Sequence, residues 1–397
     1  MENELFDLNR KLNALSVFRS ILGTEVVSSL QKLLYAIEKS SIADQLWYYG
    51  AFSKALYERG GSLSLFVKEF ILEDQNLYLI KKTENEEVSH SIEECLSEEL
   101  IVLQELANLT TPQVTKLINF DGYLPGWDTT PIDLKKEYQD MIANISTRGY
   151  GIFAKYKAFQ VDGGKLVPVK NVDPKTIDQL YGYQRERGMV LDNTKALAEG
   201  KAAVNVLLYG DAGTGKSSTI KACANAYYDK GVRLVEFDKS QLTEIPMVMD
   251  QLYQSPLKFI FFIDDLSFSQ DDDSFCQLKA ILEGNIASYA RNVVIYATSN
   301  RRHLIRESME SRMGNDLHLN DTLQETMSLS ARFGLTITFS KPEKDLYLEI
   351  VSCLAKEYGV EMEQEELFRR AEAFAIRASG RSPRTAKQFI QRLTIGL

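Results

Sequence analysis

The first third of the chain carries apolar residues at helical spacing. Leu5, Leu8, Leu12, Leu15, Phe18, Leu22, Leu30 and Leu33 recur on one face and predict helix over about 2–35. A second helical stretch covers 43–57 and includes Trp47, Tyr48 and Tyr49. Residues 62–80, rich in Leu, Phe and Val, read equally as helix or strand, whereas 90–107 read as helix. Thr111-Pro112 opens another helix with proline at its first position. The turn-rich segment 121–131 marks a join. Beyond it, 151–160 alternate in part between apolar and polar residues, Asp162-Gly163-Gly164 forms a turn, and 166–169 complete a β-hairpin. That hairpin is taken to close a mostly helical N-terminal domain over 1–171.

Short apolar runs then replace the long helical faces. They fall at 204–209, 232–238, 258–263, 293–297 and 335–339. The run KFIFFI at 258–263 is almost continuously apolar, the pattern of a strand buried on both faces of a parallel sheet.

The first of these runs breaks at Gly210, and the loop to Ser217 has the spacing G-x-x-x-x-G-K-S. Ile220, Cys223, Ala224 and Tyr227 follow on one helix face. Strand, glycine-rich loop and helix form the context in which this Walker A spacing binds phosphate. Its N–H groups converge as a nest at a helix N-terminus, where the partial positive charge favours an anion. Gly210, Asp211, Ala212, Gly213, Thr214, Gly215, Lys216, Ser217 and Ser218 are the residues expected around a nucleoside triphosphate. Lys216 would reach the β- and γ-phosphates, and Ser217 would ligate Mg²⁺.

Two strand ends and a helix start add chemistry to the loop. The run 258–263 ends in Asp264-Asp265, at the sheet edge where open α/β folds bind ligands. Asp264 suits Mg²⁺, and Asp265 suits polarising an attacking water. The run 293–297 ends in Thr298-Ser299-Asn300, whose amide can hydrogen-bond a γ-phosphate or its water. Gly380 to Ile390 starts a helix capped by Ser382, with Pro383 at its first position and Arg384 in its first turn.

Composition narrows the class. The chain has 397 residues, 44% hydrophobic and 25% charged, as in an ordinary soluble protein of two or three domains. No stretch approaches the roughly 20 apolar residues of a membrane helix. The N-terminus carries acids early and lacks the apolar core of a signal peptide, so the cytoplasm is the expected compartment. Four widely spread cysteines read as core residues in a reducing environment, not as disulfides or a zinc site. A net charge of −9 argues against a large nucleic-acid surface, although Arg301-Arg302-His303 forms a local basic cluster.

In this order the motifs resemble those of AAA+ superfamily ATPases, over about 172 to the C-terminus. The resemblance implies an α/β fold: a P-loop AAA+ domain with a parallel sheet at 172–341, a C-terminal helical lid at 342–397, and the mostly α domain with its β-hairpin before them. It implies that Leu180, Tyr181 and Gly182 cover adenine, that Asn300 is sensor 1, and that Arg384 is sensor 2. Arg332-Phe333 resembles an arginine-finger site acting on a neighbouring subunit, hence a homo-oligomeric ring or spiral. ATP and Mg²⁺ are the implied cofactors, Asp265, Asn300, Arg332 and Arg384 the catalytic set, and an unidentified macromolecule the substrate. More narrowly, the chain is similar to a bacterial branch known only as ATP-binding. Many AAA+ proteins carry glutamate where Asp265 stands, so slow hydrolysis is expected. Double aspartates also occur in replication-initiator and transposition-helper ATPases of the superfamily. A helicase-loader-like or transposition-helper-like switch on nucleic acid is therefore the second reading, less favoured by the charge balance. A small-molecule kinase would need neither the arginine nor the lid. A protein unfoldase is weakened because KSQLTEIPM, after Asp238, lacks an aromatic-apolar-glycine pore loop.

Overall fold

The computed structural model describes residues 2–84, 86–268, 273–282, 291–300, 331–378 and 380–396. The chain divides into two compact units, Met1–Lys155 and Tyr156–Leu397.

The first unit is helical. Its elements are α1 Glu2–Asn13, α2 Glu25–Lys39, α3 Ile42–Tyr57, α4 Leu63–Glu73, α5 Leu77–Thr83, α6 His90–Ala107, α7 Thr111–Thr115, α8 Leu134–Ala143, α9 Ile145–Arg148 and α10 Ile152–Lys155. The ambiguous 62–80 segment resolves into α4 and α5, because Ser62 and Asn76 each accept a backbone N–H of a helix's first turn. The periodic leucines meet in one core that includes Leu12, Phe18, Leu33 and Phe52. The turn-rich join is tied to that core. Tyr49 donates to the Pro125 carbonyl at 2.7 Å, and the Trp127 indole donates to the Leu109 carbonyl at 2.9 Å.

A buried carboxylate fixes the α1 exit. Glu99 of α6 is 6% exposed and accepts the N–H groups of Ser16, Val17 and Phe18 at 2.5, 3.0 and 2.8 Å. Three backbone donors satisfy the buried charge and hold the chain where it leaves α1.

The second unit is built on β1 Ala158–Asp162, β2 Lys165–Pro168, β3 Val206–Gly210, β4 Val232–Phe237, β5 Lys258–Ile263, β6 Val293–Ser299 and β7 Leu335–Phe339. Its helices are α11 Gln184–Ala198, α12 Lys216–Ala226, α13 Ile245–Leu252, α14 Asp273–Leu282, α15 Lys344–Glu357, α16 Gln364–Arg377 and α17 Pro383–Thr394. The strands form one sheet in the order β2-β1-β4-β5-β6-β3-β7. Only β1–β2 is antiparallel, and the other pairs are parallel. This is the α/β architecture that the sequence implies. Phe259 to Ile263 are fully buried, as their continuous apolar run requires. The helices α15, α16 and α17 share a separate small core around Tyr347, Val351, Ala371 and Ile390.

The hairpin corrects one expectation. It does not close the N-terminal unit at 171 but extends the sheet of the second, with Phe159 paired to Val235 of β4, so the division falls at 155/156. Alternation marks a strand without naming its partner, and the partner lies far downstream. Residues 152–155 are a helical turn, not the start of that strand.

Both tryptophans, Trp47 and Trp127, lie in the first unit, so their fluorescence reports its unfolding. Glu99→Gln is expected to destabilise that unit by about 2 kcal/mol, the scale of hydrogen bonds to a charged acceptor. A urea midpoint equal to that of the wild-type chain would contradict this role.

Candidate functional site

Parallel pairing brings the functional strand ends to one edge. The strand β6 lies between β5 and β3, so Asp264-Asp265, Asn300 and the phosphate loop follow three adjacent strands in the same direction. Gly210 ends β3 at φ 137°, and a Cβ there would lie 2.1 Å from the Phe339 carbonyl oxygen. Only glycine lets the loop leave the sheet against β7.

Lys216 begins α12 and is 6% exposed. Its ammonium donates to the Gly210 and Asp211 carbonyls, each at 2.8 Å, and to Asn300 Oδ1 at 3.0 Å. Burial pulls its pKa below the usual lysine range, while Asp211, Asp265 and Asp264 oppose that shift. The Asn300 amide nitrogen donates to Asp265 Oδ1 at 2.6 Å, so one side chain bridges Lys216 and Asp265. Beside it, the Ser217 and Thr298 hydroxyls donate to Asp264 Oδ1 at 2.6 and 2.5 Å. The Asp265 N–H donates to Thr298 Oγ1 at 2.9 Å. Asp265 adopts φ 50°, a left-handed conformation uncommon outside glycine.

The pair Ser217 Oγ and Asp264 fits Mg²⁺, which takes one or two protein oxygens and fills its octahedron with waters and phosphate. Among the described residues no cluster of three or more His, Cys, Asp or Glu forms an all-protein metal cage.

A cavity of about 230 Å³ opens beside the loop, lined among others by Leu180, Tyr181, Ile350, Leu354, Arg187 and Arg384. Gly213, Gly215 and Ser218 also border it. Leu180 and Tyr181 therefore stand where a base-covering turn is expected. Gly182 stands behind them, where a Cβ would come within 2.9 Å of Ile350 Cδ1. Asp211 Oδ2 accepts the N–H of Lys341, just after β7, at 2.9 Å, and Thr214 Oγ1 donates within the loop to the Asp211 carbonyl at 2.9 Å.

The start of α17 rests on the loop. The Arg384 N–H donates to the Gly213 carbonyl at 3.2 Å, and Ser382 Oγ caps the helix by accepting the Thr385 N–H at 3.0 Å. The two arginines of GRSPR separate here. Arg381 is held in a fork by Glu372 at 2.9 and 2.7 Å, whereas Arg384 is exposed at the cavity. Arg332 lies apart from all of these. It precedes β7, whose Leu335 pairs with Val206 and whose Phe339 pairs with Gly210, so it sits at the opposite sheet edge. Arg301, Arg302 and His303 lie outside the described residues.

Sequence reasoning missed Thr298, Arg187, Ile350 and Leu354. Thr298 stood in the noted triplet, and its place at a strand end was the available signal. Ile350 and Leu354 carry no signal beyond a helix face that also packs a core.

No curated protein matches the chain. Among solved structures it is similar to the Thermotoga maritima RuvB Holliday junction branch migration motor, at 17% identity and TM-score 0.38, over 56% of this chain and 65% of that one. It is similar to the FIGL-1 AAA domain in complex with ADP, at 17% identity and TM-score 0.38, over 57% and 75%. The AMPPCP-bound DnaA from Aquifex aeolicus is 16% identical, with TM-score 0.38, over 56% and 66%. The chain thus spans less than two thirds of the RuvB chain's length. A family model described as protein of unknown function (DUF815) matches residues 154–396, more than half of the chain and nearly all of its second unit. The chain belongs to that family.

Proposed function

We propose that the chain is an AAA+ ATPase that binds MgATP at the β3–α12 loop and hydrolyses it slowly to drive a conformational change on a macromolecular partner. The observation that carries this reading is the joined network Ser217–Asp264–Thr298 and Lys216–Asn300–Asp265 at three adjacent strand ends. Lys216 donates to two loop carbonyls and to Asn300. A γ-phosphate offers the ammonium a charged acceptor in their place. Ser217 and Asp264 would hold Mg²⁺, which when bound neutralises phosphate charge. Asp265, freed from Asn300, orients and polarises water, while Asn300 turns to the phosphate. Leu180 and Tyr181 cover the base. Arg384, at the start of the α15–α17 lid, faces the phosphates from the other side of the cavity.

Lys216→Ala is expected to weaken ATP binding by at least ~10-fold, about 1.4 kcal/mol. Equal affinities of both proteins by calorimetry would reject the assignment. Asp265→Asn keeps shape and loses the basic charge, so nucleotide affinity should persist while phosphate release falls. Unchanged release would transfer the role, with Asp264 the next residue to test.

Arg332 would act in a homo-oligomeric ring or spiral, on the nucleotide of a neighbouring subunit. Its position at the sheet edge opposite the loop supports this, since it is turned from its own phosphate site. A guanidinium supplied in trans stabilises charge on the transferring group, an effect of roughly 10³–10⁵ in rate. Arg332→Ala and Lys216→Ala should each be nearly inactive alone and regain activity when mixed. No recovery at any ratio, with light scattering giving a monomer in ATP, would exclude the trans arrangement.

A further inference from the structure

Arg187 is the one buried cation of the cavity wall that no sequence motif announced. It is 5% exposed on α11. Its guanidinium donates to the Leu180 and Tyr181 carbonyls, the second at 2.8 Å. Among the described residues these two carbonyls are its only hydrogen-bond acceptors, no carboxylate is bridged to it, and its buried Nε has no partner. The side chain also reaches the phosphate loop, since a Cβ on Gly215 would stand 3.9 Å from Arg187 Nη2. Gly215 is the N-cap of α12, directly before Lys216.

We propose that Arg187 is a further nucleotide-binding residue, whose guanidinium compensates the phosphates of a nucleoside di- or triphosphate from behind the loop while its hydrogen bonds hold the base-covering turn. The inference rests on the nucleotide reading above. Two carbonyls can be tethered by a neutral side chain, and an amide would do so without burying a charge. A buried guanidinium hydrogen-bonded to two carbonyls, with Glu186 acting on it through space without a bridge, keeps part of its positive charge uncompensated, which is costly until an anion arrives nearby. Burial already pulls its pKa down to about 10, a sign of the same deficit. Arg384 is solvent-exposed, so water and salt screen it, whereas Arg187 is buried and is screened less. Its two contacts also join the parts of the ligand: the turn senses the base, and the loop senses the phosphates.

The test is calorimetric titration of the full chain with MgADP and, separately, with adenosine. Arg187→Gln removes the charge and keeps an N–H donor on a shorter side chain, and any loosening of the turn that this causes is read by the adenosine titration. This variant is expected to lose ~30-fold in ADP affinity, about 2 kcal/mol, against no more than ~3-fold for adenosine. Arg187→Lys keeps the charge without the planar fork and should hold ADP within ~5-fold of wild type. ADP binding by Arg187→Gln within ~3-fold of wild type overturns the proposal, and so does an equal loss on both ligands, which confines Arg187 to the turn. If circular dichroism shows Arg187→Gln unfolded, Arg187→Lys decides alone, and an ADP loss beyond ~30-fold overturns the charge role. A wild-type chain that binds no ADP rejects the nucleotide reading itself. A wild-type chain that binds, is weakened by Lys216→Ala and is indifferent at Arg187 rejects only this inference.

Discussion

The site depends on what surrounds the Lys216 ammonium. A lysine this buried cannot stay charged without acceptors, and it finds three: two carbonyls of its own loop and Asn300. Those acceptors are available only because Gly210 turns the loop back against Phe339 and because β6 lies beside β3. Strand order, loop shape and the charge state of one side chain are therefore one constraint. Asn300 carries it further, since its oxygen accepts from Lys216 and its nitrogen donates to Asp265. An amide is the neutral side chain that can serve a cation and an anion at once.

Backbone strain collects at the same edge. Among the described residues, Tyr183 and Asp265 are the non-glycine residues at positive φ, at 54° and 50°. Asp265 is held there by the bond from its N–H to Thr298, and Tyr183 by its hydroxyl on the Ser340 carbonyl at 2.6 Å. Conformations of this kind cost of order 1–3 kcal/mol each and persist where surrounding contacts over-determine them. One lies at the proposed water-polarising carboxylate and the other just after the proposed base-covering turn.

Legibility in the sequence followed the physics of each feature. The phosphate loop was readable because backbone chemistry demands glycine and lysine at fixed spacing. Asp264 and Asn300 were readable because a parallel sheet delivers strand ends to one edge. The hairpin was readable as a hairpin but not as part of the sheet, because its pairing with β4 depends on residues some 75 positions away. Glu99 and Arg187 were not readable at all. Each is one charged residue in a helix, and only the fold brings backbone groups to it from elsewhere.

The cavity wall joins two layers of the second unit. Leu180 and Tyr181 come from the segment before α11, while Ile350 and Leu354 come from α15, and Tyr181 also packs on the core of the C-terminal helices. Gly182, at φ 73°, lets the turn lie against Ile350 and Leu346 of α15, where a Cβ would force the Ile350 methyl to shift. At the other end of the cavity, α17 is bonded through Arg384 to Gly213 of the loop. A ligand that fills this space touches the loop, the turn and the helical bundle together. A ligand shifts a conformational equilibrium only by its differential contact with the two states. The packing supplies that difference, since moving the bundle changes both the apolar wall at Ile350 and the cation at Arg384. Arg381, paired with Glu372, ties the start of α17 to α16.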